Sequence, residues 1–229
     1  MERYYTKYAA AVVRGALIRQ GRQELLPKEL MTAPLDSMQA EELDRIIDLG
    51  ISLDMKIYHF KRSDRTLPRV HKALGFLKGV YFDSLLDIGS GRGVFLLPFL
   101  EEFPYVSVTS MDLLDKRVQM LEDISRGGVD RLTVRGESIC DTTLPDKSYS
   151  VVTMLEVLEH IPDVEQAIRQ AVRLARDYVV VTVPSKEDDN PEHIHLLTKE
   201  KLTRYFNDAG VSRLSFDGVP GHLFMIGRL

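Results

Sequence analysis

Apolar residues follow two different spacings along this chain, and the change of spacing divides it near residue 80. Over residues 1–55 they recur at helical intervals: Tyr4, Tyr5, Tyr8, Val12, Ala16 and Ile18, then Leu43, Ile46, Ile47 and Leu53. Pro27 and Pro34 punctuate the connection, Asp36 or Ser37 is the expected cap, and Glu41 and Glu42 enrich the next helix start. Val70, Leu74 and Leu77 predict one more helix before Gly79. From residue 81 short apolar runs alternate with helical patterns. Strands are expected near 84–88, 106–111, 131–135, 149–154 and 178–183, and helices near 93–101, 115–125, 163–175 and 199–209. Segments 211–217 and 222–228, joined through Gly218-Val219-Pro220-Gly221, read as a closing hairpin. The outline is α/β, a parallel sheet covered on both faces, with an N-terminal helical extension. We therefore expect a helical cap or substrate-recognition region over 1–80 and an α/β domain over 81–229.

Composition changes this picture little. The 229 residues, 44% of them hydrophobic, suffice for one α/β domain with an appendage. Charge is uneven: residues 1–80 carry 14 Lys/Arg against 10 Asp/Glu, so they hold +4 and the remaining 149 hold −8 of the total −4. A basic front half attached to an acidic half hints at a polyanionic partner. Much of that positive charge lies in Lys56–Lys72, six Lys/Arg against one Asp with Tyr58 and Phe60 between them. Such a segment can grip a phosphate backbone and stack a base, as RNA binding requires; a solvated basic linker is the alternative. One cysteine, Cys140, excludes an intrachain disulfide. No apolar run approaches 18 residues, so no membrane span is expected, and the chain reads as soluble and cytoplasmic.

The candidate ligand turn is Asp87-Ile88-Gly89-Ser90-Gly91-Arg92-Gly93, between a buried strand and a helix. Closely spaced glycines let backbone approach a ligand where a Cβ would clash. A dinucleotide site would carry G-x-G-x-x-G, whereas the third glycine here comes one residue earlier. Asp112, followed by Leu113, ends the second strand, where a carboxylate can accept both hydroxyls of a ribose. Glu137-Ser138 follows the third strand within reach of an adenine amino group, and Met154-Leu155-Glu156 ends the fourth.

With these pieces the chain resembles the class I S-adenosylmethionine-dependent methyltransferases. The likeness runs from about Ser84 to Leu229 through LLDIGSGRG (85–93), VTSMDLLD (108–115), RGESICDTTLPDKSYSVVTMLEVLEHIPD (135–163), VVVTVPSK (179–186) and NPEHIHLLTKEKL (190–202). It implies a Rossmann-like seven-stranded sheet in the order 3-2-1-4-5-7-6 with strand 7 antiparallel. It also implies S-adenosylmethionine (SAM) as cofactor. Asp87, Gly89, Ser90 and Gly91 would face its methionine portion, Asp112 and Leu113 its ribose, Glu137 and Ser138 its adenine, and Met154 the same crevice.

A second cluster is Glu156-Val157-Leu158-Glu159-His160, with His193 and His195 after the fifth strand. Were 156–160 the start of a helix, positions i, i+3 and i+4 would share one face. Carboxylates with imidazoles suit Mn²⁺, Fe²⁺ or Zn²⁺ better than an all-oxygen Mg²⁺ site. Glu156, Glu159, His160 and His193 are the candidate ligands, and His160 or His195 the candidate proton acceptor. Contacts to substrate, or a solvated helix start, are the alternatives. A hydroxyl is a poor nucleophile near neutral pH, and metal coordination or a nearby His activates it. The expected activity is therefore O-methylation of a vicinal diol. Two family branches resemble this segment: small-RNA 3′-terminal 2′-O-methyltransferases and ubiquinone-pathway O-methyltransferases acting on catechols. RNA is the expected acceptor, a small catechol or quinone precursor the alternative, and a non-catalytic SAM- or RNA-binding module a third possibility.

Overall fold

The computed structural model describes residues 3–57, 67–187 and 189–229. Apolar runs with little polar interruption form inner strands buried on both sides, as a helix-covered sheet demands, whereas the two edge strands are more exposed. The seven strands are β1 (Ser84–Ile88), β2 (Ser107–Asp112), β3 (Leu132–Gly136), β4 (Tyr149–Leu155), β5 (Ala175–Pro184), β6 (Arg213–Val219) and β7 (His222–Arg228). The sheet order is β3-β2-β1-β4-β5-β7-β6, and only β7 runs against its neighbours. This is the Rossmann-like arrangement the resemblance implies. Successive strand residues face opposite sides, so Leu85 and Leu86, or Val180 and Val181, enter different cores.

Eight α-helices are described: α1 (Arg3–Arg19), α2 (Lys28–Thr32), α3 (Ala40–Ser52), α4 (Pro68–Lys78), α5 (Leu96–Glu102), α6 (Asp115–Arg126), α7 (Val164–Leu174) and α8 (Lys199–Asp208). The cap of α3 is Gln39 rather than Asp36 or Ser37, which lie in a separate 3-10 turn; the Glu42 carboxylate accepts from the Gln39 N–H at 2.8 Å. The helix expected from residue 93 begins at Leu96, because positive φ at Gly89, Gly91 and Gly93 keeps the preceding residues in the ligand turn. Among the described residues no helix is long and apolar enough to cross a membrane.

α7 and α8 cover one face through Ile168, Ala171, Leu202 and Phe206. On the other, Tyr8, Val13, Leu17, Ile46 and Leu77 join Phe99, Leu121 and Leu85 in one apolar cluster. The helices before residue 80 thus share a core with the sheet. α1 crosses α6 so closely that a Cβ on Gly127 would lie 1.9 Å from the Ala11 carbonyl oxygen. The Asp123 carboxylate, buried beneath this crossing, takes a forked pair of hydrogen bonds from Arg19, each 3.0 Å.

Candidate active site

The carboxyl ends of β1 to β5 open on one edge, where ligands bind in sheets of this kind. At the end of β1 the chain reverses through Gly89, whose φ is +68° and whose Cβ would meet Val157 Cγ2 at 2.5 Å. No larger residue fits there. The Gly89 N–H donates to the Met111 carbonyl at 2.7 Å, and the Gly91 N–H to Asp112 Oδ2 at 2.8 Å. The Leu114 N–H donates to Asp112 Oδ1 at 3.0 Å, so one carboxylate ties the glycine turn to the start of α6. The Ser110 hydroxyl donates to Ser90 (2.8 Å), whose own hydroxyl donates to the Asp87 carbonyl (3.1 Å).

Asp87 is buried beneath this turn. Thr153 donates to its Oδ1 at 2.7 Å, while Oδ2 has no hydrogen-bond partner among the described residues. Burial pushes its pKa up to about 6, aided by the charge of Asp112 and opposed by the hydroxyls of Thr153 and Ser90. An unmatched carboxylate oxygen of this kind suits a cationic ligand group.

A cavity of about 780 Å³ opens over the turn. Asp87, Gly89, Ser90, Gly91, Asp112, Leu113, Glu137 and Ser138 all line it. Met154 does not: strand alternation sends it into the second core, where it is fully buried, and Leu155 and Glu156 form the wall instead. Glu137 is clamped by Arg135 and accepts from the Thr142 hydroxyl at 3.1 Å; the guanidinium holds its carboxyl below the usual range. Arg69, from the basic segment, and Arg92, from the glycine turn, also line the cavity, as does Arg117, to which no residue spacing pointed. Of the basic segment Lys56–Lys72, residues 58–66 lie outside the described residues, and among the described ones Arg69 and Val70 line the cavity.

Residues 156–160 are not an α-helix. Glu156 has a left-handed φ of +61°, and a 3-10 turn covers Leu158–His160. Glu156 is thereby turned away from Glu159, and its Oε2 lies 2.8 Å from His222 Nδ1. The residues that do converge are Glu159, His160 and His193, with one ligand atom of each within 4.8 Å of the others. Glu159 is fully buried, and the two imidazoles meet edge to face with centroids 4.8 Å apart.

Backbone pairing builds this cluster. The Ile194 N–H donates to the Glu159 carbonyl at 2.9 Å, and His160 Nδ1 donates to the Glu192 carbonyl at 2.9 Å. The second bond fixes the tautomer and leaves the His160 Nε2 lone pair available to a metal or a proton. An extended 193–195 segment would put both histidines on one side. The segment is irregular, and His195 Nε2 instead donates to the Ile161 carbonyl at 3.1 Å. Neither Glu156 nor His195 belongs to the converged set.

Comparison with known proteins decides the family. A methyltransferase domain model matches residues 58–215, more than half of the chain. The chain belongs to this methyltransferase family. It is a class I SAM-dependent methyltransferase domain, and the match begins ahead of the boundary expected at residue 80. A 27-O-demethylrifamycin SV methyltransferase from Amycolatopsis mediterranei (strain S699) is 31% identical over 127 residues, 51% of this chain and 46% of that protein. The chain thus spans under half the length of that curated relative. A SAM-dependent methyltransferase from Archaeoglobus fulgidus has the same fold, with TM-score 0.60, 16% identity, and 75% and 96% of the two chains covered. The N-terminal domain of EvdMO1, solved with SAH and D-fucose, gives TM-score 0.57 at 14% identity, covering 71% and 83%.

Proposed function

We propose that this methyltransferase transfers the methyl group of SAM to a hydroxyl oxygen of a small vicinal-diol acceptor, catechol-like or sugar-like. The observation that carries the reading is the convergence of Glu159, His160 and His193, with His160 on the wall of the same cavity as the glycine turn. A hydroxyl acceptor needs the help such a cluster gives. The rifamycin relative, named for methylation at an oxygen, supports the same class.

In this reading the ligand ammonium reaches Asp87 Oδ2, the ribose hydroxyls hydrogen-bond to Asp112, and the adenine lies by Leu113, Glu137 and Ser138. The acceptor oxygen attacks the methyl carbon in line with the departing sulfur; the C–O bond forms, the C–S bond breaks, and the sulfonium becomes a neutral thioether. The acceptor's proton leaves toward His160 Nε2. Glu159, His160 and His193 have the donor set for Mn²⁺, Fe²⁺ or Zn²⁺, and a bound ion would lower the pKa of a coordinated hydroxyl. α4 supplies Arg69 and Val70 to the cavity, which gives the N-terminal region a part in choosing the acceptor. A second reading, with an RNA 3′-terminal ribose as the diol, draws on Arg69 and the basic stretch around it. The lone cysteine and the absence of a long apolar run favour the cytoplasm as the place of action.

Incubation with methyl-labelled SAM, with and without Mn²⁺ or EDTA, against catechol, ribose diols and short RNA tests this. Label should enter a diol and fall at least about tenfold with EDTA. Labelling only of amines, or none in any diol, would reject it.

A further inference from the structure

Outside the converged cluster, a separate set of buried polar atoms lies where β4 and β5 end and β7 begins. Glu156 Oε1, Thr182 Oγ1 and His222 Nδ1 are each shielded from solvent without a hydrogen-bond partner among the described residues. They belong to one locality. The Glu156 N–H donates to the Thr182 carbonyl at 3.0 Å, and Thr182 and His222, two residues apart in register along β7, share a face of the sheet. The His222 ring approaches Glu156 Oε2 to 2.8 Å without reaching hydrogen-bond alignment. A folded protein seldom leaves three such groups unmatched in one place, because each costs the full loss of its hydration.

Glu156 itself is held in an unfavourable conformation. Among the described residues only Asp54, Lys147 and Glu156 combine a side chain with left-handed backbone, and of these only Glu156 lines the cavity. A glycine would serve that turn without strain, so the carboxylate is kept at a conformational cost. The set also lies apart from the metal-type cluster. Thr182 shares its sheet face with Val180 and Phe224 of the first core, whereas Leu158, beside Glu159, packs into the second.

We propose that Glu156, positioned by His222, is the acceptor-recognition carboxylate: its Oε1 receives a hydrogen bond from a hydroxyl that the acceptor presents at the Glu156 wall of the cavity. Glu156 touches the acceptor, and His222 acts through Glu156 by its 2.8 Å approach to Oε2. The acceptor class is a neutral polyol or catechol, since such a group supplies the missing donor without adding a charge beside His222. This inference rests on the O-methylation reading only for the identity of the acceptor.

The test uses the full chain loaded with SAH and follows its histidine imidazoles by ¹⁵N-edited NMR, with the His222 signals assigned through H222Q. Catechol, then methyl β-D-ribofuranoside, is titrated in. The expected result is a saturable shift of the His222 resonances. E156Q and E156G should each weaken probe binding about 10- to 100-fold, with SAH affinity retained. E156G should melt at a higher temperature than the parent while losing the probe, a combination that a turn residue would not produce. H222Q should raise the KM for the probe more than it lowers kcat. A His222 signal unmoved by both probes, or an E156G protein that binds them like the parent, overturns the proposal. Should the probes bind through Glu156 and never receive methyl from SAM, the subsite stands and the O-methylation reading falls.

Discussion

In the half of the crevice built by β1, β2 and β3, main-chain groups hold the polar side chains in place. Asp112 takes two backbone N–H groups, Gly89 donates to Met111, and among these groups one buried oxygen, Asp87 Oδ2, lacks a partner. In the half built by β4, β5 and β7, side chains face one another instead. Two imidazoles meet edge to face beside a buried glutamate, and three further buried polar atoms are unmatched. The first half is one hydrogen bond short of complete before a ligand arrives and can serve any acceptor. The second is energetically unfinished, and a group that completes it gains more than one that does not. In the proposed reading, cofactor binding and acceptor choice therefore fall to different kinds of structure.

The largest way to break this contrast is Gly89→Ala. The new Cβ would drive into Val157 at a left-handed backbone position, so SAH affinity measured by calorimetry should fall more than about 100-fold. Retained binding would show that the turn is adaptable rather than preformed.

Asp87 gives the next largest effect. It ionises at about 6 in the fold against 3.8 for an ordinary aspartate. Between those values the folded state keeps a proton that the unfolded chain has released. Stability of the cofactor-free protein must then fall as pH rises from about 4 to 6 and level off above, by at most about 3 kcal/mol. Asp87→Asn should flatten that slope in denaturant titrations and raise stability at pH 7. It should also weaken SAH binding at pH 7 at least about tenfold, through loss of the ammonium's partner. A variant that keeps the slope would assign it to another group.

Glu159→Gln probes the other half. Mn²⁺ binding followed by electron paramagnetic resonance should weaken about 10- to 100-fold while SAH affinity stays put. Equal loss of both would mean that the halves are coupled. The smallest effect is expected from His195→Phe: removing one hydrogen bond to the Ile161 carbonyl should cost about 1 kcal/mol of stability and leave Mn²⁺ affinity unchanged. A drop in Mn²⁺ affinity comparable to that of Glu159→Gln would return His195 to the site.

The contrast also explains what could be read from residue order alone. Strand positions, the glycine turn and Asp112 were legible because each depends on a local pattern: an apolar run, a positive-φ sequence, a carboxylate at a strand end. The Glu159–His160–His193 grouping was partly legible, since β4 and β5 are neighbours and their loops share an edge. Glu156 was misplaced because helical spacing was assumed where one left-handed residue redirects the chain. Met154 was assigned to the crevice by proximity, although strand alternation sends it into the core. His222 left no trace in local pattern. Only the pairing of β7 with β5 brings Pro184 and His222 together and carries the imidazole to Glu156.

That pairing has a further consequence. In an all-parallel sheet every residue at the ligand edge comes from the end of a strand, and loops alone can be varied to change what is recognised. Because β7 is reversed, its first residue lies at that edge, immediately after the short Pro220-Gly221 turn and anchored by the ladder to β5. Position 222 can therefore be exchanged without lengthening a loop or disturbing the glycine turn, and in the proposed reading one backward strand becomes a fixed socket for altering selectivity.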